Sequence, residues 1–247
     1  MEQQNQLEVC FTPAIYDRYA SDDKIVVVVD ILRATSSICA AFENGAEAII
    51  PVSTVGEARE MKKKGYIVAS ERDGYVLDFA DFGNCPMNFT AERVKGKELV
   101  YSTTNGTRSV NMASHSRKVV IGSFLNISAI ANWIVKQSSP VLILCASWKD
   151  RFSLEDAVFA GALCKKLTDS GKFYTICDSA LAAMDLWSIA SKDLFSYIQK
   201  AAQKGRLAEK GLDYCIEYCH TLNTTTVIPV FEKGRLIDIS HSCTKFE

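Results

Sequence analysis

Asp30, Arg33, Thr35 and Ser36 follow directly on the run Val26-Val-Val-Val29, and a helical pattern (Ile38, Ala41, Phe42) comes after them. Four β-branched residues in a row read as a strand buried on both faces. An acid, a guanidinium and two hydroxyls therefore stand where a buried strand gives way to a helix. Open α/β sheets bind ligands beyond the carboxyl ends of their strands, and a helix N-terminus offers free N–H groups to an anion. A helix cap at Thr35 or Ser36 beside a surface Asp–Arg pair would explain the same residues without any function.

Polar turns recur after other strand-like segments. Ser70-Glu-Arg-Asp-Gly74 offers Glu71 as a metal ligand or acid/base and Arg72 as a two-pronged grip on phosphate or carboxylate. Asp81-Phe-Gly-Asn-Cys-Pro86 is a constrained loop with Asp81 and Asn84 as oxygen donors. In Thr103-Thr-Asn-Gly-Thr107, Gly106 permits close backbone approach, while Thr103, Thr104, Asn105 and Thr107 add donors that could wrap an anion. The turn lacks the Gly-Lys-Ser/Thr ending of a P-loop. Lys149 to Asp156 carries Arg151, Ser153, Glu155 and Asp156; Ser153 with Asp156 three residues on resembles a capping box.

Pooled, these turns supply Asp30, Glu71, Asp81, Glu155 and Asp156 as hard oxygen donors, and Arg33, Arg72, Arg108 and Arg151 as anion partners. Magnesium is held by one or two carboxylates plus water and substrate phosphate. Phosphoryl transfer needs cations and fixed N–H donors where charge builds. The inventory suits that reaction, and it suits equally a non-catalytic module that binds a phosphorylated metabolite.

The elements that must position these residues alternate. Strands are expected at 7–11, 26–30, 48–52, 66–69, 98–102, 118–121 and 141–145. Helices are expected at 35–44, 55–64, 106–113, 126–135 and 153–169, with a largely helical stretch over 179–219. Segments 226–231 and 235–237, split by Lys233-Gly234, read as a hairpin. The alternation predicts a layered α/β/α fold with a largely parallel or mixed sheet and a closing β-hairpin at the carboxyl end. One domain over 1–247 is expected, with any subdomain boundary near 113–123.

At 247 residues the chain can bury a sizeable core, and 48% hydrophobic with 23% charged content is that of a globular protein. A formal net charge of −1 argues against nucleic acid as a partner. No apolar run is long enough to span a bilayer, and the nine cysteines form no CxxC pair. A reduced cytoplasmic setting, without nucleic-acid or membrane partners, is expected. Trp133, Trp148 and Trp187 suit a core or a subunit interface equally, so a homodimer stays open.

Five motifs in fixed order carry a family likeness: Asp30-Ile-Leu-Arg-Ala-Thr-Ser36, Glu71-Arg72-x-Gly74, Asp81-x-Gly-Asn-x-Pro86, Thr103-Thr-Asn-Gly-Thr107, and Phe152-Ser-Leu-Glu-Asp156 before Ala160-Gly161. The series resembles the 2-phosphosulfolactate phosphatases, magnesium-dependent acid phosphatases of coenzyme M biosynthesis. The resemblance implies hydrolysis of (2R)-2-phospho-3-sulfolactate to 3-sulfolactate and phosphate with Mg²⁺; another small phosphorylated acid is the alternative substrate. Asp30, Arg33, Glu71 and Arg72 are the expected catalytic residues. Asp30 and Glu71 come first as metal ligands, then Asp81 or Asp156. Thr35, Ser36, Asn84, the 103–107 turn, Arg151 and Ser153 are expected to hold substrate. The expected mechanism is attack by metal-activated water, with a covalent intermediate at Asp30 as the alternative. Asp30 has no Asp-x-Asp partner, no thiolate-phosphatase loop is read at Cys145 and Arg151, and the three histidines lack an Arg-His-Gly context.

Overall fold

A computed structural model describes residues 4–103 and 105–241. Strands and helices alternate: β1 (Asn5–Cys10), β2 (Ile25–Val29), α1 (Ala34–Glu43), β3 (Ala48–Pro51), α2 (Val55–Lys63), β4 (Ile67–Arg72), β5 (Tyr75–Val76), α3 (Ala91–Val94), β6 (Glu98–Ser102), α4 (Gly106–Met112), β7 (Lys118–Gly122), α5 (Ile127–Val135) and β8 (Val141–Cys145). The long helix α6 (Leu154–Asp169), β9 (Phe173–Tyr174), α7 (Asp178–Ala190), α8 (Leu194–Ile198), α9 (Ala202–Ala208), α10 (Ile216–Cys219), β10 (Pro229–Glu232) and β11 (Arg235–Asp238) complete the order. The α/β expectation holds, with one sheet in the order β5-β4-β6-β3-β11-β10-β7-β2-β8-β1-β9.

The hairpin β10–β11 does not close an edge, as a terminal hairpin would. It sits between two parallel blocks, with β11 antiparallel to β3 and β10 antiparallel to β7. Its turn is tight because Lys233 and Gly234 both take positive φ, the geometry whose twist matches a hairpin. Counted along the ladder, β4-β6-β3 and β7-β2-β8-β1 run in opposite senses. Right-handed strand twist rotates neighbours by roughly 20–25°. Over the six steps from β2 to β4, that sums to about 120–150° and undoes most of the reversal. The carboxyl ends of both blocks can then meet.

Side-chain alternation shows what the curled sheet encloses. Val26 and Val28 of β2, Leu142 and Leu144 of β8, Ile49 of β3, and Leu99 and Tyr101 of β6 share one apolar cluster with Ile38, Cys39 and Phe42 of α1 and Val110 of α4. Val27, Val29, Val141 and Ile143 face the other way, onto α5, α6 and α7. Val68 and Val100 face out onto Ala58 of α2. Helices α1 and α4 thus lie between the two blocks, and both begin at the rim where the strands end. No helix among the described residues is long and apolar enough to cross a membrane.

Candidate active site

The turn after β2 is locked by its own hydroxyls. Thr35 Oγ1 donates to the Asp30 carbonyl at 2.9 Å, the Asp30 N–H donates back to Thr35 Oγ1 at 3.1 Å, and Thr35 N–H also meets that carbonyl. Ser36 Oγ donates to the Ile31 carbonyl and contacts Ser123 Oγ at 3.1 Å. Both hydroxyls are internal ties and neither lines the cavity. What the locked turn presents is Asp30, whose Oδ1 accepts the Ala34 N–H at 3.3 Å, and Arg33, at the head of α1.

Asp30, Arg33, Glu71, Asn84 and Asn105 line one small cavity, together with Leu32, Asp73, Gly74, Trp148, Gln203, Arg206, Leu207 and Lys210. Glu71 comes from the end of β4, and its Oε2 accepts the Gly74 N–H at 2.6 Å. Asn84 arrives because its loop runs beside β4, with Phe82 bridged to Ala69. The Tyr101 hydroxyl donates to Asn84 Oδ1, so Nδ2 is what Asn84 offers the cavity. Asn105 precedes α4. At Gly106 a Cβ would lie 2.6 Å from Ala34 Cβ and 3.2 Å from Asp30 Oδ2, so only glycine lets α4 approach this closely.

Burial dominates the electrostatics. Asp30 is pushed up to about 7, first by desolvation and then by the charges of Glu71 and Glu155; the Ala34 N–H and Arg33 act the other way. Glu155 is raised by burial, with Arg206 opposing. Asp156 is raised well above the usual carboxylate range by burial, then by Glu155 and Asp30. Against these acids stands Arg33, only 4% exposed, whose Nη1 has no hydrogen-bond partner among the described residues. An orphaned buried guanidinium nitrogen is costly unless an acceptor meets it.

Several expected site residues do other work. Arg72, next to Glu71 and therefore on the opposite face of β4, spends its guanidinium on Ser102 O at 3.1 Å and Ser102 Oγ at 2.9 Å. It braces the end of β6 and is not on the cavity wall. Asp81 lies at the amino end of β4, where it accepts from Lys62 Nζ at 2.6 Å and the Val68 N–H at 2.8 Å, too far along the strand to share an ion with Glu71. Asp156 has both oxygens on backbone N–H groups, of Ile31 at 2.9 Å and Ser147 at 3.2 Å. It clamps the ends of β2 and β8 and does not face the cavity. The capping box expected at Ser153 is not formed: its side chain makes no cap bond.

Thr103 and Thr107 are buried and tied to each other, Thr107 Oγ1 donating to Thr103 O at 3.1 Å. Thr104 lies outside the described residues. Arg151 is exposed, off the cavity wall, near Arg206, and Arg108 is paired with Asp150 at 3.0 Å. Cys145 and Arg151 do have the Cys-x5-Arg spacing of a thiolate phosphatase, contrary to the sequence reading. Yet Cys145 is buried among β-strands with its thiol raised well above the ordinary value by desolvation, the opposite of an activated nucleophile.

The residues that sequence reasoning missed line the same cavity as Asp30. Gln203 and Arg206 of α9, with Lys210 just beyond, close over the cavity beside Trp148. Their only sequence signal is a basic cluster, Lys204-Gly-Arg206-Leu-Ala-Glu-Lys210, in a stretch that reads simply as helix.

Asp30 and Glu71 are the donors that could hold a metal. No group of three or more His, Cys, Asp and Glu suited to an ion occurs among the described residues. Two carboxylates on one cavity wall nevertheless fit Mg²⁺, which keeps waters and takes phosphate oxygens. The raised Asp30 is the sign of a site that favours an added positive charge, either a proton or a cation.

The family model described as 2-phosphosulpholactate phosphatase matches residues 10–234. A protein of Caldanaerobacter subterraneus subsp. tengcongensis is 35% identical over 216 residues, covering 86% of this chain and 89% of its own length. One from Clostridium acetobutylicum is 34% identical over 218 residues (87% and 92%), and one from Thermotoga maritima 35% over 214 (87% and 92%). Each of the three is named a probable 2-phosphosulfolactate phosphatase.

Proposed function

The chain belongs to the 2-phosphosulfolactate phosphatase family, and from that premise we propose that it hydrolyses (2R)-2-phospho-3-sulfolactate to 3-sulfolactate and inorganic phosphate. The observation that supports this most directly is Arg33, which lines the same cavity as Asp30 and Glu71 and whose buried Nη1 has no partner among the described residues. A phosphoryl oxygen supplies the missing acceptor, and a charge-assisted bond there strengthens as the departing group gains charge.

In this reading Asn84 and Asn105 donate to other phosphoryl oxygens, and the cavity walls hold the ester in one orientation. Asp30 and Glu71 would hold Mg²⁺. When bound, that ion would polarise the phosphoryl group and make a coordinated water acidic enough to attack. Tyr101, buried and raised well above the usual phenol value first by desolvation, stays protonated and fixes the Asn84 amide. The P–O ester bond breaks, the water oxygen joins phosphorus, and a proton ends on the alcohol of sulfolactate. The proposed setting is cytoplasmic, which the eight free thiols among the described residues support.

The test is phosphate release from 2-phosphosulfolactate with Mg²⁺ and after chelation. Release that stops with EDTA and returns with Mg²⁺ is expected. Arg33→Gln should lower kcat/KM by roughly 10²–10³. Tight binding of the ester without release would overturn the proposal.

A further inference from the structure

We propose that Arg206, with Lys210 beside it, forms a second anion subsite that binds the part of the substrate not transferred: its sulfonate or carboxylate. The inference rests on the proposed phosphatase reading and adds a specificity site to it.

Arg206 is held in two directions. Its Nε donates to Gln203 Oε1 at 2.6 Å, and its guanidinium carbon lies 4.1 Å over the Trp148 ring. Gln203 in turn donates through Nε2 to the Leu32 carbonyl at 3.3 Å, one residue before Arg33. The guanidinium plane is therefore fixed relative to the turn that carries Asp30 and Arg33. Its outer edge, Nη1 and Nη2, has no hydrogen-bond acceptor among the described residues, and Glu155 is the acid whose charge it feels most. A planar fork held at one edge and open at the other is the geometry that grips an oxyanion with two parallel bonds. Lys210 Nζ has the Tyr75 ring at 5.3 Å and no ion pair among the described residues.

Neighbouring charges are already engaged. Lys149 pairs with Asp73 at 2.8 Å, Arg108 with Asp150, and Arg72 with Ser102. The cavity then draws its charges from two parts of the chain: Asp30, Arg33, Glu71 and Asp73 from the strand ends and their turns, Arg206 from α9 and Lys210 from just beyond it, the Lys210 side chain lying over Gly74. A small ester with phosphate on one carbon and strong acids on its neighbours matches that division. A phosphomonoester with no second acid would leave Arg206 unanswered.

The product, 3-sulfolactate, carries no phosphate, so its affinity reads the second subsite alone. Calorimetric titrations of the Mg²⁺-loaded enzyme with 3-sulfolactate and with inorganic phosphate separate the two. Arg206→Gln should weaken 3-sulfolactate about tenfold or more and leave phosphate within about twofold. Lys210→Met, a less buried change, should act in the same direction if Arg206→Gln fails to fold. Titrations with 2-hydroxyethanesulfonate and with lactate tell which oxyanion is held. In turnover, the Arg206 variant should lose about 100-fold in kcat/KM for the sulfonated ester, mainly through KM, and little for glycerol 2-phosphate. Equal loss for both ligands, or no loss for 3-sulfolactate, overturns the subsite. Failure of the phosphatase reading appears separately, as wild-type enzyme that releases no phosphate from 2-phosphosulfolactate.

Discussion

Asp156 accepts the backbone N–H of Ile31 across 125 residues of chain, at 2.9 Å, and with its other oxygen takes the N–H of Ser147. One buried carboxylate thus pins the ends of two adjacent strands, one of which carries Asp30. Asp156→Ala leaves two buried N–H groups unpaired, at about 1–3 kcal/mol each. A clear drop in Tm with loss of activity is expected, and a variant melting with wild type would show that the clamp carries no weight.

Asp30→Asn should behave in the opposite way. Turnover should vanish because the metal and phosphate site loses a charge, while the fold persists. The folded-state value of about 7 lies above the ordinary 3.8, so protonated Asp30 favours the folded state. That contribution is complete below about 3.8 and disappears as pH rises through about 7. Without metal, the variant should therefore melt at or above wild type at pH 8 or so. Differential scanning calorimetry of metal-free protein checks it; a variant markedly less stable at that pH would contradict the assignment.

Two glycines should fail differently. A Cβ at Gly106 meets Ala34 and Asp30, so Gly106→Ala should impair kcat/KM more than stability, at about 1–3 kcal/mol of overpacking. A Cβ at Gly161 would lie 1.9 Å from the Ala183 carbonyl where α6 packs on α7. Gly161→Ala should give little folded protein, or a Tm lowered far more than for Gly106→Ala. Expression yield and thermal melts decide between them.

His220 provides a pH effect away from the site. Its imidazole is buried, lowered to about 4 chiefly by desolvation, with Nε2 unpartnered among the described residues and Nδ1 against the Ile216 carbonyl at 2.7 Å. The neutral ring favours the folded state. That stability is complete above the ordinary value of 6.5 and is lost as pH falls through about 4, amounting to about 3 kcal/mol. His220→Phe should flatten the fall in unfolding free energy across that window; parallel pH slopes for variant and wild type would refute it.

Much of this architecture was legible because local patterns set it. Ile25–Val29 is buried to within 1% along its length, as four consecutive valines on a covered strand imply. The polar turns after successive strands mark the rim, since polar side chains there satisfy backbone groups that the sheet leaves unpaired where it ends. Which member of a polar pair faces the ligand was not legible. Glu71 and Arg72 are neighbours, but strand alternation sends one to the cavity and the other to Ser102. Asp81 and Asp156 resembled ligands because a carboxylate's type says nothing about which N–H it will meet.

By itself the amino-acid order determined the alternating elements, the buried central strand and the chemistry available at the strand ends, because periodicity and turn propensity act within a few residues. Only the tertiary structure decided that the hairpin joins two parallel blocks, that α1 and α4 lie between them, and that Arg206 and Asp30 line one cavity. Those outcomes depend on strand order, cumulative twist and contacts between segments more than a hundred residues apart, which no local pattern encodes.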